Sequence, residues 1–290
     1  MSTFLLEIGT EELPADFARL ALPQLEQLVR RDLSESRLGY GEVSTTSTPR
    51  RLVVQIEDIE PAAPDLDDER KGPPAAQAFK DGLPMAAAIG FAKRCGVAPE
   101  ALEVRDTDKG PFVFARVREP GRRAEDLLQQ WIPQWITALQ GRRFMRWGHG
   151  DSRFSRPVRW LVALLDAQVV PVSLEGGDPL VQAGARSRGH RLINDDVVIS
   201  TAGSYAETLR QAGVLVDRQA RATLIRAAVE QAAAALDARP DLPDALFDEL
   251  TDLVEAPLLI EGQVAEHYLA LPAEVLSTVM RAHQRYVPLY

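Results

Sequence analysis

Residues Gly141–Leu165 read GRRFMRWGHGDSRFSRPVRWLVALL, and their first twenty positions hold six arginines against one acid in a 290-residue chain of net charge −9. Arg142, Arg143, Arg146, Arg153, Arg156 and Arg159 alternate with Phe144, Trp147, Phe154 and Trp160. Guanidinium groups interleaved with aromatic rings serve two physical ends. They bind a polyanion with unpaired bases, the forks taking oxyanions bidentately while rings stack on bases. Alternatively they lock a fold, the arginine stems packing on aromatic faces and the heads pairing with carboxylates. Composition alone favours the second use. The apolar run closing the stretch, Trp160–Leu165, predicts a buried strand that turns at Asp166-Ala167 into a second strand, Val169–Leu174, closed by Gly176-Gly177-Asp178-Pro179.

Upstream, Thr3–Ile8 predicts a buried strand, and residues 15–36 a helix that Pro23 kinks or divides. Glu42–Thr48 and Arg51–Ile56 read as successive strands, so the order β-α-β-β implies a small sheet with one helix-covered face. Residues 60–74 contain four prolines and five acids among fifteen positions and read as a linker or exposed loop. A helical piece around Met85, a turn at Asp106–Gly110, a strand over Pro111–Val117 and an amphipathic helix over Glu125–Leu139 with Trp131 and Trp135 follow. Downstream, Ala185–Leu192 is a second basic patch, and from Asn194 the chain reads as mostly helical. Asp217 is the N-cap of a helix to about Leu236, which carries Arg218, Arg221 and Arg226 and an apolar face of Leu224, Ile225 and Val229. A helix at Asp244–Leu253, a strand at Pro257–Ile260 and a helix at Ala273–Met280 complete the reading.

Composition excludes several function classes. With 46% hydrophobic residues the chain has the makings of a large globular core, and no run of eighteen apolar residues suggests a membrane span. One cysteine, Cys95, cannot form an internal disulfide, which suits a reducing cytoplasm, and its helical context marks it as a core residue. The four histidines lack metal-ligand spacing. Neither a phosphate-binding glycine loop, a dinucleotide fingerprint, a nucleophile elbow nor a zinc-protease helix motif is present. Glu7, Glu11 and Glu12 close the first strand, where paired acids suit proton transfer; the plainer reading has Glu11 and Glu12 complementing the helix start. His190, between Gly189 and Arg191, is the histidine best placed to meet an anionic ligand.

A series of short strings resembles the beta subunit of the bacterial heterotetrameric glycyl-tRNA synthetase. They are IGTEELPA (8–15), TPRRL (48–52), KGP (71–73), TDKG (107–110), MRWG (145–148), RPVRW (156–160), GHR (189–191), LVEAP (253–257) and the ending LPAEVLSTVMRAHQRYVPLY. The resemblance implies an N-terminal portion of a longer chain, with further sequence expected beyond Tyr290. It implies a heterotetramer (α2β2) whose alpha subunit holds the active site for glycine, ATP and Mg, while the beta subunit binds tRNA(Gly). No cofactor is then expected in this portion, and no membrane association.

The fold class expected is α+β, with mixed sheets and packed helices, a region similar to the B3/B4 domain of the phenylalanyl enzyme, and more helix toward the C-terminus. Two lobes are expected: 1–140, an α/β lobe containing the acidic proline-rich linker, and 141–290, a basic B3/B4-like lobe. Candidate tRNA contacts are Arg142, Arg143, Arg146, Arg153, Arg156, His190, Arg191, Arg218, Arg221 and Arg226, with Arg156 and Arg159 the ones placed to brace the fold. No catalytic residue and no metal ligand is assigned. Two alternatives stand beside tRNA binding: an editing-type deacylase using His190 or Glu11 and Glu12, and a structural module docking the alpha subunit through the Trp131-Trp135 face.

Overall fold

The computed structural model describes residues 1–177, 179–193 and 196–290. Asp178 of the expected closing turn, and Asn194, where helical structure is expected to begin, lie outside them. In chain order the principal elements are β1 (Ser2–Thr10), α1 (Ala15–Glu35), β2 (Val43–Thr48), β3 (Arg51–Ile59) and β4 (Leu66–Pro74). Next come α2 (Ala86–Cys95), β5 (Glu103–Thr107), β6 (Gly110–Glu119), α3 (Ala124–Ala138), β7 (Val158–Leu165) and β8 (Val181–Gly184). Four helices follow: α4 (Tyr205–Gln211), α5 (Arg218–Ala235), α6 (Asp244–Leu253) and α7 (Ala273–Val279). The α+β class follows from this succession.

Two compact units result, one formed by Met1–Pro61 with Glu125–Tyr290 and the other by Ala62–Ala124. They do not follow the division expected at residue 140. The reason lies in β1, which pairs antiparallel with β3 on one side and with β7 on the other, so both halves of the chain build one sheet. That sheet is seven-stranded, running from Ser173–Leu174 through β8, β7, β1 and β3 to β2, with Gln168–Val169 also on β7. The second strand expected at Val169–Leu174 is thus split between two partners, with Pro171, which has no N–H to give a ladder, between the pieces.

From Phe4 to Thr10 every residue of β1 is buried, because both sheet faces are covered. One face packs Leu5, Val53, Trp160, Val162 and Leu164 against Ile199, Tyr205, Leu209, Val214 and Val216. On the other lie helices. In α1, Phe17, Ala18, Ala21, Leu25, Val29 and Leu33 recur at helical spacing and are buried, and Pro23 does not divide the helix. In α3 the rings of Trp131 and Trp135 lie 5.8 Å apart, and Trp135 meets Phe4 edge-on. The Trp135 indole N–H donates to Asp32 Oδ2 at 2.7 Å, so a buried donor and a buried carboxylate satisfy each other. Both tryptophans are core residues, and the alternative of docking a partner through them loses its exposed face.

Asp217 caps α5 as expected, accepting from the N–H groups of Gln219 (2.8 Å) and Ala220 (3.2 Å). Its buried face is Ala222, Val229, Ala232 and Ala233, and Leu224 points to solvent. No strand forms at Pro257–Ile260, where Leu258 and Ile260 are exposed. No described helix is long and apolar enough to cross a membrane.

The smaller unit corrects the reading of residues 60–74 as a linker. Leu66–Pro74 is a strand paired with β6, which also pairs with β5. Of the acids that suggested a loop, Asp67 and Glu69 lie on an exposed sheet face with Arg116 and Arg118, where Asp67 takes both arms of Arg116 at 2.6 Å. Helix α2 covers the opposite face, packing Ala88, Phe91 and Cys95 on Val113, Ala115 and Val117.

Candidate nucleic-acid interface

Three strands bring short polar and aromatic residues into register at the end of β1. Gly9 lies opposite Arg51 of β3 and opposite Trp160 of β7. The missing side chain is what admits the indole, since a Cβ on Gly9 would fall 1.9 Å from Trp160 Cε2. One step along β1, on the same face, Glu7 accepts hydrogen bonds from the Trp160 indole N–H and from the Ser187 hydroxyl at 2.7 Å. Arg51, fully buried, places Nε 3.5 Å from Glu7 Oε1 and donates through Nη1 to Glu255 Oε1 at 2.5 Å. Thr48 also donates to Glu255 at 2.9 Å, and Arg51 Nη2 reaches the Arg188 carbonyl at 2.8 Å. The Tyr205 hydroxyl is buried beside this network without a hydrogen-bond partner. Burial first, and then the negative charge of Glu7, hold its pKa well above the ordinary value of 10.

Around this core the surface acids are engaged. Glu11 accepts from Arg159 at 2.7 Å, and Glu12 forms an ion pair with Arg191 at 2.9 Å. Neither caps α1, whose N-cap position is Pro14. His190 is half-buried and uses Nδ1 to accept from the Leu192 N–H at 3.4 Å. These contacts tie the loop 187–193 to the β1–α1 turn.

The opening arginine stretch folds into a short hairpin, Met145–Arg146 against Arg153–Phe154. Its register sets Arg146 directly opposite Arg153, and like charges in a cross-strand pair repel unless an anion lies between or beside them. Arg146 meets the exposed Asp151 at 3.1 Å; Arg143 and Arg153, both exposed, have no carboxylate partner among the described residues. Arg142 lies 3.8 Å from Asp16 with most of its side chain in solvent. The aromatic residues of the same stretch do the anchoring. Phe144 and Phe154 pack with Phe17 of α1, ring centroids 5.5 to 5.9 Å apart. Charges point out and rings point in, so the two uses open at the level of composition are divided between residue types. Arg156 is half-buried and donates to the Ser155 carbonyl at 2.8 Å, a bracing position.

Helix α5 separates its arginines just as sharply. Arg221 is fully buried and donates to the carbonyls of Leu215 (2.7 Å), Val216 (3.0 Å) and Ser47 (2.7 Å). Burial pushes its pKa down to about 10. With no surface to offer a phosphate, Arg221 is withdrawn from the candidate contacts. Arg218 is held by Asp252 at 2.7 Å and Asp248 at 2.9 Å. Arg226 is exposed, with its guanidinium 4.2 Å above the Phe247 ring.

A profile of the family described as glycyl-tRNA synthetase beta subunit matches residues 4–290. The chain belongs to that family. Among relatives, the glycine–tRNA ligase beta subunit of Picosynechococcus sp. is 46% identical over 287 residues, covering 99% of this chain and 40% of that protein. Its counterpart in Synechocystis sp. is 46% identical over 289 residues, with the same coverage. The Edwardsiella ictaluri protein of that name is 36% identical over 291 residues, covering 99% of this chain and 42% of its own length. The chain thus spans about two fifths of the relatives it matches.

Four of the nine strings that carried the resemblance converge on the buried network. IGTEELPA supplies Gly9, TPRRL supplies Thr48 and Arg51, RPVRW supplies Trp160 and LVEAP supplies Glu255. Sequence reading missed Arg51, Glu255 and Ser187 as partners, because 204 positions separate Arg51 from Glu255. The occurrence of Arg51 and Glu255 inside those strings was the available signal; Ser187 lies outside all of them.

Proposed function

We propose that this portion of the beta subunit is a tRNA-binding part of a glycine–tRNA ligase, acting with an alpha subunit that carries the aminoacylation site. In that reading ATP and Mg are used by the alpha subunit, the assembly is a cytoplasmic heterotetramer of two alpha and two beta subunits, and the polynucleotide bound is tRNA(Gly). Family membership supports the coarse assignment.

The observation carrying the RNA contact is the hairpin in which Arg146 faces Arg153 while Arg142 and Arg143 project beside them. Four guanidinium groups on an element pinned by three phenylalanines form a rigid cationic edge in a chain of net charge −9. Long-range repulsion between an acidic protein and RNA confines docking to such a local patch. The contact is with phosphates, because the aromatic residues of the stretch are packed inward and leave few rings to stack on bases. Arg226 is the candidate on α5; Arg156, Arg191 and Arg218 are held by the protein itself.

Hydroxyl-radical footprinting of tRNA(Gly) on the full alpha–beta assembly tests this. Protection of a backbone segment by the native enzyme, lost when Arg142, Arg143 and Arg146 are changed to alanine, is the expected result. An unchanged footprint would remove the hairpin from the interface.

A further inference from the structure

Beside the Glu7–Arg51–Glu255 network lie two arginines that it leaves unsatisfied. Arg50 is 9% exposed, and its Nε and Nη1 are buried with no hydrogen-bond partner. The nearest carboxylate oxygen, Glu255 Oε2, is 4.0 Å from Nη1, and that carboxylate is already engaged by Arg51 and Thr48. Arg188 is half-buried and its guanidinium has no carboxylate partner among the described residues. Both guanidinium groups lie against one indole: the Trp160 ring centroid is 5.5 Å from Arg50 Cζ and 4.8 Å from Arg188 Cζ, with Arg51 at 5.8 Å.

The local charge does not balance. Glu7 and Glu255 both serve Arg51, and Glu12 serves Arg191. Burial lowers the pKa of Arg50; Glu255 opposes that, and the positive charges of Arg51, Arg191 and Arg188 add to it. A buried, unpaired cation among like charges is a costly arrangement that a bound anion would relieve.

We infer that Arg50 and Arg188, seated on Trp160, form a binding site for a phosphate group. Two guanidinium groups held against one indole suit an anion with several oxygens and more than one lone pair to offer each of them. Trp160 is itself buried under the arginines, so it orients them and offers no face to a base. The site stands on its own geometry; only the source of the phosphate rests on the RNA-binding reading, in which it is a tRNA backbone phosphate, the other source being a free phosphate or mononucleotide.

The test uses the full-length beta subunit in its assembly, as native protein and as Arg188→Gln, a half-buried position where loss of the fold is not expected. Arg50→Gln is the second variant, accepted only if its thermal unfolding is native-like. Inorganic phosphate titrated by calorimetry at constant ionic strength should bind saturably to the native protein and at least about tenfold more weakly to Arg188→Gln. In parallel, tRNA affinity measured across salt concentrations should show a slope smaller by about 0.7 to 0.9 in that variant if the phosphate is a backbone one. An unchanged slope with weakened phosphate binding retains the site and assigns it to a free phosphate. No phosphate binding to the native protein, together with an unchanged slope in Arg188→Gln, overturns it. The hairpin reading is separable, since it falls only if Arg142→Ala/Arg143→Ala/Arg146→Ala leaves tRNA binding intact.

Discussion

Arg51 donates to Glu255 at 2.5 Å across 204 positions of sequence, at a point where neither side chain reaches much solvent. The pair ties the central sheet to the chain that follows α6, and Arg51 also neutralises Glu7 of the neighbouring strand. Replacing Arg51 by methionine leaves buried Glu7 without a cation and leaves Glu255 only Arg50, 4.0 Å away. Urea denaturation should report a loss of about 3 to 5 kcal/mol. A loss under about 1 kcal/mol would show that the network is incidental to stability.

Gly9 is required by Trp160. A methyl group at position 9 collides with the indole at 1.9 Å, and the indole is held on its other sides by arginines and by its bond to Glu7. Gly9→Ala should destabilise the protein by about 1 to 3 kcal/mol or more and alter the near-ultraviolet dichroism of the displaced tryptophan. Native stability with an unchanged tryptophan signal would refute the packing described.

Tyr205 should make stability fall at alkaline pH. Its folded pKa lies above the unfolded value near 10, so the native state keeps its proton where the unfolded chain has released it. That contribution is complete below pH 10 and is lost as pH rises from there toward the folded value. Tyr205→Phe removes this slope. Because the hydroxyl has no hydrogen-bond partner, its loss at pH 8 should cost under about 1 kcal/mol. Denaturation midpoints of both proteins between pH 8 and 11 check this, and parallel curves would contradict it.

The arginines of α5 should separate by phenotype. Arg221→Met leaves the Ser47 and Leu215 carbonyls without their Arg221 donor, while Val216 keeps the Thr46 hydroxyl, and a loss of about 2 to 5 kcal/mol is expected. Arg226→Ala should leave the unfolding midpoint unaltered and weaken tRNA binding. Equal stability of the two variants would contradict the assignment.

Much of the fold was legible because local patterns agreed with it. The buried run before Gly9, the 3–4 spacing in α1 and the Asp217 cap of α5 are decided within a few residues. What failed depended on distant partners. Leu66–Pro74 becomes a strand because Val113, Ala115 and Val117 in β6 offer a sheet that α2 covers, information absent from an acidic, proline-rich window. The compact units differ from the expected lobes for the same reason: nothing near Ser2–Thr10 announces that its neighbour is Val158–Leu165. Among the candidate residues, pattern could identify an arginine-rich stretch but not which guanidinium groups the protein consumes. Arg221 and Arg143 differ only in what the fold places around them, carbonyl oxygens in one case and solvent in the other.

In the proposed function, the hairpin at residues 141–156 supplies phosphate contacts to tRNA. The most direct test of this is tRNA(Gly) binding to the full alpha–beta assembly over a range of salt concentrations, native against Arg142→Ala/Arg143→Ala/Arg146→Ala. Three lost contacts should weaken binding and reduce the slope of log affinity against log salt by about 2 to 3, with the unfolding midpoint unaltered. An unchanged affinity and slope would contradict the account.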